Sequence, residues 1–335
     1  MFIDLFKDEL LCLDIRDRVF RFILAKYNKR VQNIDVLKYG TFIIPEDCVD
    51  QGVICENETT LQAITNFILK EKIKTKNVYM NISSPPIVLR IVKLPHMQEK
   101  DLSIFLQEEI SQFIPVDSNS SIIDYKVLDR FEEDGKKQMN VMLIAAPKQM
   151  IRRYVDLLKK TGLNPAVVDL YPNCIARVFS KIQNKNIAVL DVNSNALDFI
   201  ILKNNNLFMH SNIYLESSPD FLSLIDRKAE NIVYEDKNFE RALGEITNYV
   251  KTYLNFFSSR HFGASVDRLY IIGELALIKD IDAYIGSFLQ IEVKSGLSDI
   301  VKVELSKGLK NTGDTQESTK IALYACGLGL AMRGD

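Results

Sequence analysis

No run of this sequence is apolar enough over a sufficient length to span a bilayer, and no secretory leader is legible. Phe2, Ile3, Leu5 and Phe6 are interrupted by Asp4, Lys7, Asp8 and Glu9. The five cysteines (Cys12, Cys48, Cys55, Cys174 and Cys326) are scattered and contain no Cys-x-x-Cys pair. They read as reduced core thiols of a cytoplasmic protein, not as a disulfide framework or a zinc site. The three histidines, His96, His210 and His261, have no metal-ligand spacing. A Walker loop, a Gly-x-Ser-x-Gly elbow and a His-Glu-x-x-His helix are all missing, which removes the motif-based cases for P-loop, serine-hydrolase and zinc-protease chemistry. Acidic and basic residues nearly balance, at a formal net charge of −2, so no nucleic-acid or membrane-surface field is implied. Lys70, Lys72, Lys74 and Lys76 cluster at a helix end and read as a solvated face.

What is present is an ordinary globular composition on a chain of 335 residues, long enough for two lobes. The central stretch Ile187–Phe208 holds two apolar strands, Ile187–Val192 and Ala196–Leu202, joined at Asn193-Ser194-Asn195. Asn204-Asn205-Asn206 turns the chain into a third strand, because Asn tolerates positive φ. Asp191 closes the first strand, where a carboxylate either faces a ligand or, more often, caps a turn. The pattern occurs again near the start: Leu10–Ile15 ends in Asp14, and a strand with Val19, Phe20, Phe22, Ile23 and Leu24 follows. Two copies half a chain apart point to two related lobes.

Between them, Leu61, Ile64, Thr65, Ile68 and Leu69 give one helix face, followed by a strand at Asn77–Ile82. After Pro85-Pro86 comes a βαββα unit. It comprises strand Ile87–Leu94, a helix over Gln98–Ile114, strands Ile122–Phe131 and Gln138–Ala145 turned by Asp134-Gly135, and helix Lys148–Thr161 stopped by Gly162. Both helices are expected to face the sheet, the second through Ile151, Tyr154, Val155 and Leu158. Ala166–Leu170 is a strand and Ile175, Val178 and Phe179 mark a helix that leads into the central stretch. Beyond it a short helix at Phe221, Leu222 and Ile225 is expected. A longer helix over Arg241–Phe257 carries a core stripe of Ile246, Tyr249, Val250, Tyr253, Leu254 and Phe257. Then follow strand Arg268–Ile272, a helix through Ile281–Leu289, strand Ile291–Val293, a polar loop at Lys310–Gln316 and a small-residue helix, Ser318–Met332. Its Ala322, Ala325, Gly327, Gly329 and Ala331 predict close backbone packing.

In order, LPHMQEKDL (Leu94–Leu102), EEISQFIPVD (Glu108–Asp117), IDYKVL (Ile123–Leu128), VMLIAAPKQMI (Val141–Ile151), GLNPAVVDL (Gly162–Leu170), VDRLYIIGELALIKDI (Val266–Ile281) and YACGLGLAMR (Tyr324–Arg333) form a series of short runs. This series resembles the PilM family of type IV pilus assembly, relatives of the cell-division protein FtsA. The resemblance implies an α/β fold of the actin/Hsp70-like two-lobe kind with an inserted βαββα, FtsA 1C-like subdomain. Lobe one would span 1–186 with the insert at about 86–162. Lobe two would span 187–335 with a 2B-like helical insert at about 217–263. It implies a nucleotide cleft for ATP and Mg²⁺ between the lobes. It also implies a cytoplasmic protein peripheral to the inner membrane, a scaffold that holds the N-terminal tail of PilN and couples the inner-membrane platform to the assembly motor ATPase.

The resemblance implies a nucleotide site at Asp14, Arg16, Asp191, Asn193, Gly273 and Glu274, with Asp14 and Asp191 as Mg²⁺ contacts and Asp169 nearby. That site departs from the family pattern. Arg16 and Asn193 stand where glycines let backbone N–H groups close on phosphates, Leu197 replaces a Thr, Glu216-Ser217-Ser218 replaces a Gly-Gly turn, and Gly273-Glu274 replaces another. No matched catalytic Glu is evident, so no catalytic residue is assigned and hydrolysis is not expected. The leading expectation is a scaffold with a degenerate nucleotide site. The alternatives are an ATP-dependent switch of the same fold and an FtsA-like filament protein, the latter disfavoured because FtsA-type chains end in an amphipathic helix and this one ends at Asp335. The tail is expected between the strand edge beginning at Ile87 and the helix Gln98–Ile114, with Leu89 and Phe105 as contacts, although Phe105 also suits the subdomain core. Homo-oligomerisation is left open.

Overall fold

The computed structural model describes residues 9–16, 18–28, 33–50, 53–83, 86–193, 196–214, 237–260, 264–306 and 320–333. The expected turn at Glu216-Ser217-Ser218, the helix at Phe221–Ile225, the loop Lys310–Gln316 and residues 217–236 and 261–263 of the expected insert lie outside the described residues.

Backbone compactness divides the chain into two units. One contains Asp8–Leu24 and Tyr39–Tyr171. Here β1 (Leu10–Arg16) lies parallel to β6 (Asn77–Ser83), and β6 parallel to β10 (Asn164–Asp169). The sheet order is β10-β6-β1-β2-β3, with β2 at Val19–Asn28 and β3 at Asn33–Ile43. The start of β3 belongs to the other unit and pairs in parallel with β16 (Lys302–Leu305). Gly40 in β3 lies against the Phe22 ring, 2.7 Å from where a Cβ would stand. β3 lies outside the elements expected from the sequence, although its Ile34 and Val36 are fully buried.

The hairpin β4 (Val49–Asp50)–β5 (Val53–Ile54) precedes α1 (Glu58–Lys70), whose N-cap Asn57 accepts from Thr60 N–H. The buried face of α1 is Thr60, Ile64 and Phe67, with Phe67 stacked on Phe42 at 4.1 Å; Leu69, expected inside, is 68% exposed. Leu69 follows the stripe by one step in the last turn, where the helix leaves the sheet.

The inserted segment forms a three-stranded sheet ordered β7 (Val88–Pro95), β9 (Lys136–Pro147), β8 (Ser121–Glu133). Asp134 and Gly135, both at positive φ, turn the β8–β9 hairpin. Helix α2 (Glu99–Phe113) buries Leu102, Leu106 and Ile110 against Leu94, Met139, Val141 and Leu143. Helix α3 (Lys148–Lys160) behaves differently from expectation. It packs on α1, β5 and β10 as well as β9 and buries Met150, Tyr154, Leu157 and Leu158, while Ile151 and Val155 are only half-buried. Helix α2 thus covers one face of the small sheet, while α3 spans the body of the unit and reaches β9; Met142, on the sheet's other face, is buried as well.

The other unit includes Ala25–Lys38 and Pro172–Asp335. Its sheet is ordered β13-β12-β11-β14-β15, formed by β11 (Asn186–Asn193), β12 (Ala196–Lys203), β13 (Asn206–Tyr214), β14 (Arg268–Gly273) and β15 (Glu292–Ser295). This order repeats β3-β2-β1-β6-β10, with β11 in the place of β1. In α5 (Lys237–Arg260), Ile246, Val250 and Phe257 are buried, and Tyr253 stacks on Phe199 and shares a 2.6 Å hydrogen bond with Ser211. Tyr249, expected in that stripe, is 40% exposed because it lies at the stripe's edge. Helix α6 (Ile281–Leu289) follows β14, and the chain reaches α7 (Ala325–Ala331). There a Cβ on Gly329 would stand 2.1 Å from the Cys174 carbonyl of α4 (Tyr171–Val178), so the small residues serve backbone contact.

Candidate functional site

Asp14, Asn81 and Asp169 stand side by side across β1, β6 and β10: Asp14 pairs with Asn81 and Asn81 with Asp169. All three are buried near the carboxyl ends of parallel strands, the end at which α/β sheets present ligands. Asn81 Nδ2 donates to Asp14 Oδ1 at 2.7 Å. Arg16 Nε lies 3.2 Å from both Asp14 oxygens, and its guanidinium sits 4.0 Å over the Tyr171 ring. A carboxylate buried in an apolar strand needs such partners, and here the chain supplies them itself.

The repeated sheet carries the second group. Asp191 is buried on β11 and its Oδ1 accepts from Asn193 Nδ2 at 2.5 Å. Next to it on β14, Gly273 has φ 76° and would place a Cβ 2.1 Å from Asp191 Oδ1. Only a glycine lets β14 pass this carboxylate. Glu274 follows, 1% exposed. Opposite Asp191 on β12 is Asp198, also buried, whose Oδ1 meets His210 Nε2 at 2.7 Å and Asn212 Nδ2 at 3.0 Å.

Each unit therefore gathers its own predicted residues: Arg16 with Asp14, and Asn193, Gly273 and Glu274 with Asp191. Sequence reasoning missed Asn81, Asp198, His210 and Asn212. The available signal was a lone polar residue inside an apolar strand, as in Val78-Tyr79-Met80-Asn81-Ile82.

These residues do not fit an Mg²⁺–phosphate group as they stand. Asp14 is neutralised by Arg16, and the Asp191 oxygen is engaged by a side-chain amide where a phosphate loop would offer backbone N–H groups. Among the described residues, Asn81 Oδ1 and Asn193 Oδ1 are buried and accept no hydrogen bond, and Asp14 Oδ2 has only its ion pair with Arg16. They are acceptors, the wrong polarity for phosphate oxygens. No cluster of three or more His, Cys, Asp or Glu among the described residues is arranged to hold a metal ion.

The two expected partner contacts lie on opposite faces of the small sheet. Phe105 packs on the α2-side core and is tilted against Phe113 at 6.1 Å. Leu89 alternates with Val88 and Val92, which face α2, and lies half-buried on the other side beside Ile144. A groove lined by both must run along the β7 edge, since among the described residues β7 pairs only with β9. Arg90 Nη1 donates to the Phe113 carbonyl and holds the end of α2 at that edge.

The duplicated sheets and the inserted subdomain define an α/β protein of the actin/Hsp70-like two-lobe class. The chain belongs to the family described as type IV pilus assembly protein PilM, whose pattern matches residues 12–214, more than half of its length. It is similar to a solved PilM–PilN type IV pilus biogenesis complex, with TM-score 0.74 and 18% identity over 97% of this chain and 98% of that one. It is also similar to the ethanolamine utilization protein EutJ from Carboxydothermus hydrogenoformans, with TM-score 0.50 and 10% identity over 98% of this chain and 90% of that one. No curated protein matches the sequence. Among the described residues no helix is long and apolar enough to cross a membrane.

Proposed function

We propose that this protein is a cytoplasmic scaffold of the type IV pilus inner-membrane platform, peripheral to the membrane through its partners. It holds the N-terminal tail of PilN and couples it to the assembly motor, and its nucleotide site is degenerate. Asp14, Arg16, Asp191, Asn193, Gly273 and Glu274 are what remains of that site. The observation that carries the proposal is the likeness to the PilM–PilN complex over nearly the whole of both chains. We keep lobes of 1–186 and 187–335 with an insert at about 217–263 as part of the same proposal. The tail is taken to add to the β7 edge as an extended strand. Successive side chains then fall on alternate faces, toward Leu89 on one and toward Phe105 and Phe113 on the other.

A second reading, an ATP-dependent switch, is favoured by one observation. The buried acceptors of Asp14 and Asn81 suit a hydrated cation once Arg16 swings away. Calorimetry of a peptide copying the PilN tail, with and without ATP and Mg²⁺, separates the two. Binding of equal strength in both conditions supports the scaffold. Binding that requires ATP and Mg²⁺ replaces it with the switch, and no binding in either condition removes both.

A further inference from the structure

Two cysteines that are unrelated in the sequence are brought opposite each other by the β4–β5 hairpin. Val49 pairs with Ile54 and Asp50 with Val53, which sets Cys48 across from Cys55. The ladder itself ends at Val49–Ile54; Cys48 closes the 3-10 turn Glu46–Cys48 just before β4, and Cys55 N–H donates to its carbonyl at 2.8 Å, so the two backbones meet there. A backbone N–H···O bond between two antiparallel segments brings the Cα atoms to about 5.5 Å, within the roughly 4.4–6.8 Å that a disulfide spans. Both are free thiols, Cys48 fully buried and Cys55 half-buried.

We propose that Cys48 and Cys55 form a reversible dithiol–disulfide site, closed by a peroxide and opened by a thiol reductant. The half-buried Cys55 meets the oxidant. Its thiolate attacks a peroxide oxygen, the S–O bond forms as the O–O bond breaks, and hydroxide leaves and takes up the thiol proton as water. Cys48 then attacks the Cys55 sulfenic sulfur. The S–S bond forms as the S–O bond breaks, and the departing hydroxide takes the Cys48 proton as a second water. Two thiols are oxidised and one peroxide is reduced.

The location gives closure a structural effect. Cys48 Sγ lies 3.9 Å from Asn57 Oδ1, and that oxygen caps α1 by accepting from Thr60 N–H and Thr60 Oγ1–H, both at 2.8 Å. On the other strand Ile54 N–H donates to the Tyr154 hydroxyl of α3 at 3.4 Å, and Glu56 pairs with Lys160. The bridge ties together the segment that connects α1 to α3 and releases the Asn57 cap from the thiol. The loop closed between the two cysteines is short, so the bridge adds little stability and is readily reduced.

The experiment treats the whole protein with hydrogen peroxide, blocks residual thiols, and maps unreduced peptides by mass spectrometry. The expected product is a Cys48–Cys55 cross-link that disappears with dithiothreitol, while Cys12, Cys174 and Cys326 remain alkylatable after unfolding. Hydrogen exchange should slow across Val49–Ile54 in the oxidised protein. Cys48→Ser should leave Cys55 trapped as sulfenic or sulfinic acid, and Cys55→Ser should leave Cys48 reduced; circular dichroism checks the fold of both. Wild-type protein in which Cys55 passes to sulfinic acid without a cross-link, in which neither cysteine reacts, or in which Cys48 pairs with another cysteine overturns the proposal.

Discussion

Gly273 combines two demands, a φ of 76° and a backbone that passes 2.1 Å from Asp191 Oδ1 at the Cβ position. Gly273→Ala should cost about 3 kcal/mol or more, from left-handed strain and displacement of the carboxylate together. Gly329→Ala should be comparably harmful, because its Cβ would collide with the Cys174 carbonyl. Thermal melts of both variants check this, and a melting temperature unchanged by either would show that the backbone relaxes freely there. Arg16 poses the opposite question, since its side chain fills a place where a glycine would leave room. Arg16→Gly leaves Asp14 buried without its cation, so stability should fall by roughly 1–3 kcal/mol without ligand. Combined with Asn193→Gly it should strengthen ATP binding in calorimetry if the site is degraded. Tight binding by the unaltered protein, equal to that of the double variant, would show that the two side chains are no obstacle.

One face of the small sheet is covered by α2, so that core can be probed apart from the body. Leu106 is 3% exposed in the α2 core, and Leu106→Ala should cost about 2–5 kcal/mol. Hydrogen exchange should then accelerate in β7, β8 and β9 while β1 and β6 keep their protection. Tyr154→Phe on α3 removes only the hydroxyl that accepts from Ile54 N–H, and should cost about 0.5–1.5 kcal/mol without exposing the small sheet. Loss of protection in the small sheet alone with the α3 variant would contradict the assignment of α3 to the body. Much of this layout was legible beforehand. The ends of α2, the Asp134-Gly135 turn and the Gly162 stop all follow from local chemistry and recur in the structure. The buried face of α3 was legible in part: Tyr154 and Leu158 are buried as expected, but Ile151 and Val155 are as apolar as Met150 and Leu157, and only tertiary packing selects between them. The same holds for the site: Asp14 and Asp191 stand out as carboxylates ending apolar strands, whereas Asn81 becomes meaningful only through its parallel register with Asp14.

The repeated strand order gives the molecule two equivalent carboxylates, Asp14 on β1 and Asp191 on β11, each held by a side chain two residues further on. Duplication can account for their presence without any retained chemistry, so the test of the proposed tail site turns on the small sheet. Its β7 edge offers unpaired backbone groups among the described residues, with half-buried apolar side chains on both faces. An extended, partly apolar tail can satisfy both at once. Leu89→Glu and Phe105→Glu test the two faces independently. The first places a carboxylate on the face away from α2, and should weaken tail binding at least tenfold without unfolding the sheet. The second intrudes on the α2 core and is the less discriminating variant, because Phe105 also packs on Phe113. Ile91→Pro supplies a third probe, removing a backbone donor from β7 together with one apolar side chain on the Leu89 face. Titration of labelled peptide against each variant, with circular dichroism as the fold control, reads the result. Loss with Leu89→Glu and with the proline, in folded proteins, supports strand addition at β7. Unchanged affinity in both, or protection from exchange confined to β11–β15, would move the tail off the inserted subdomain.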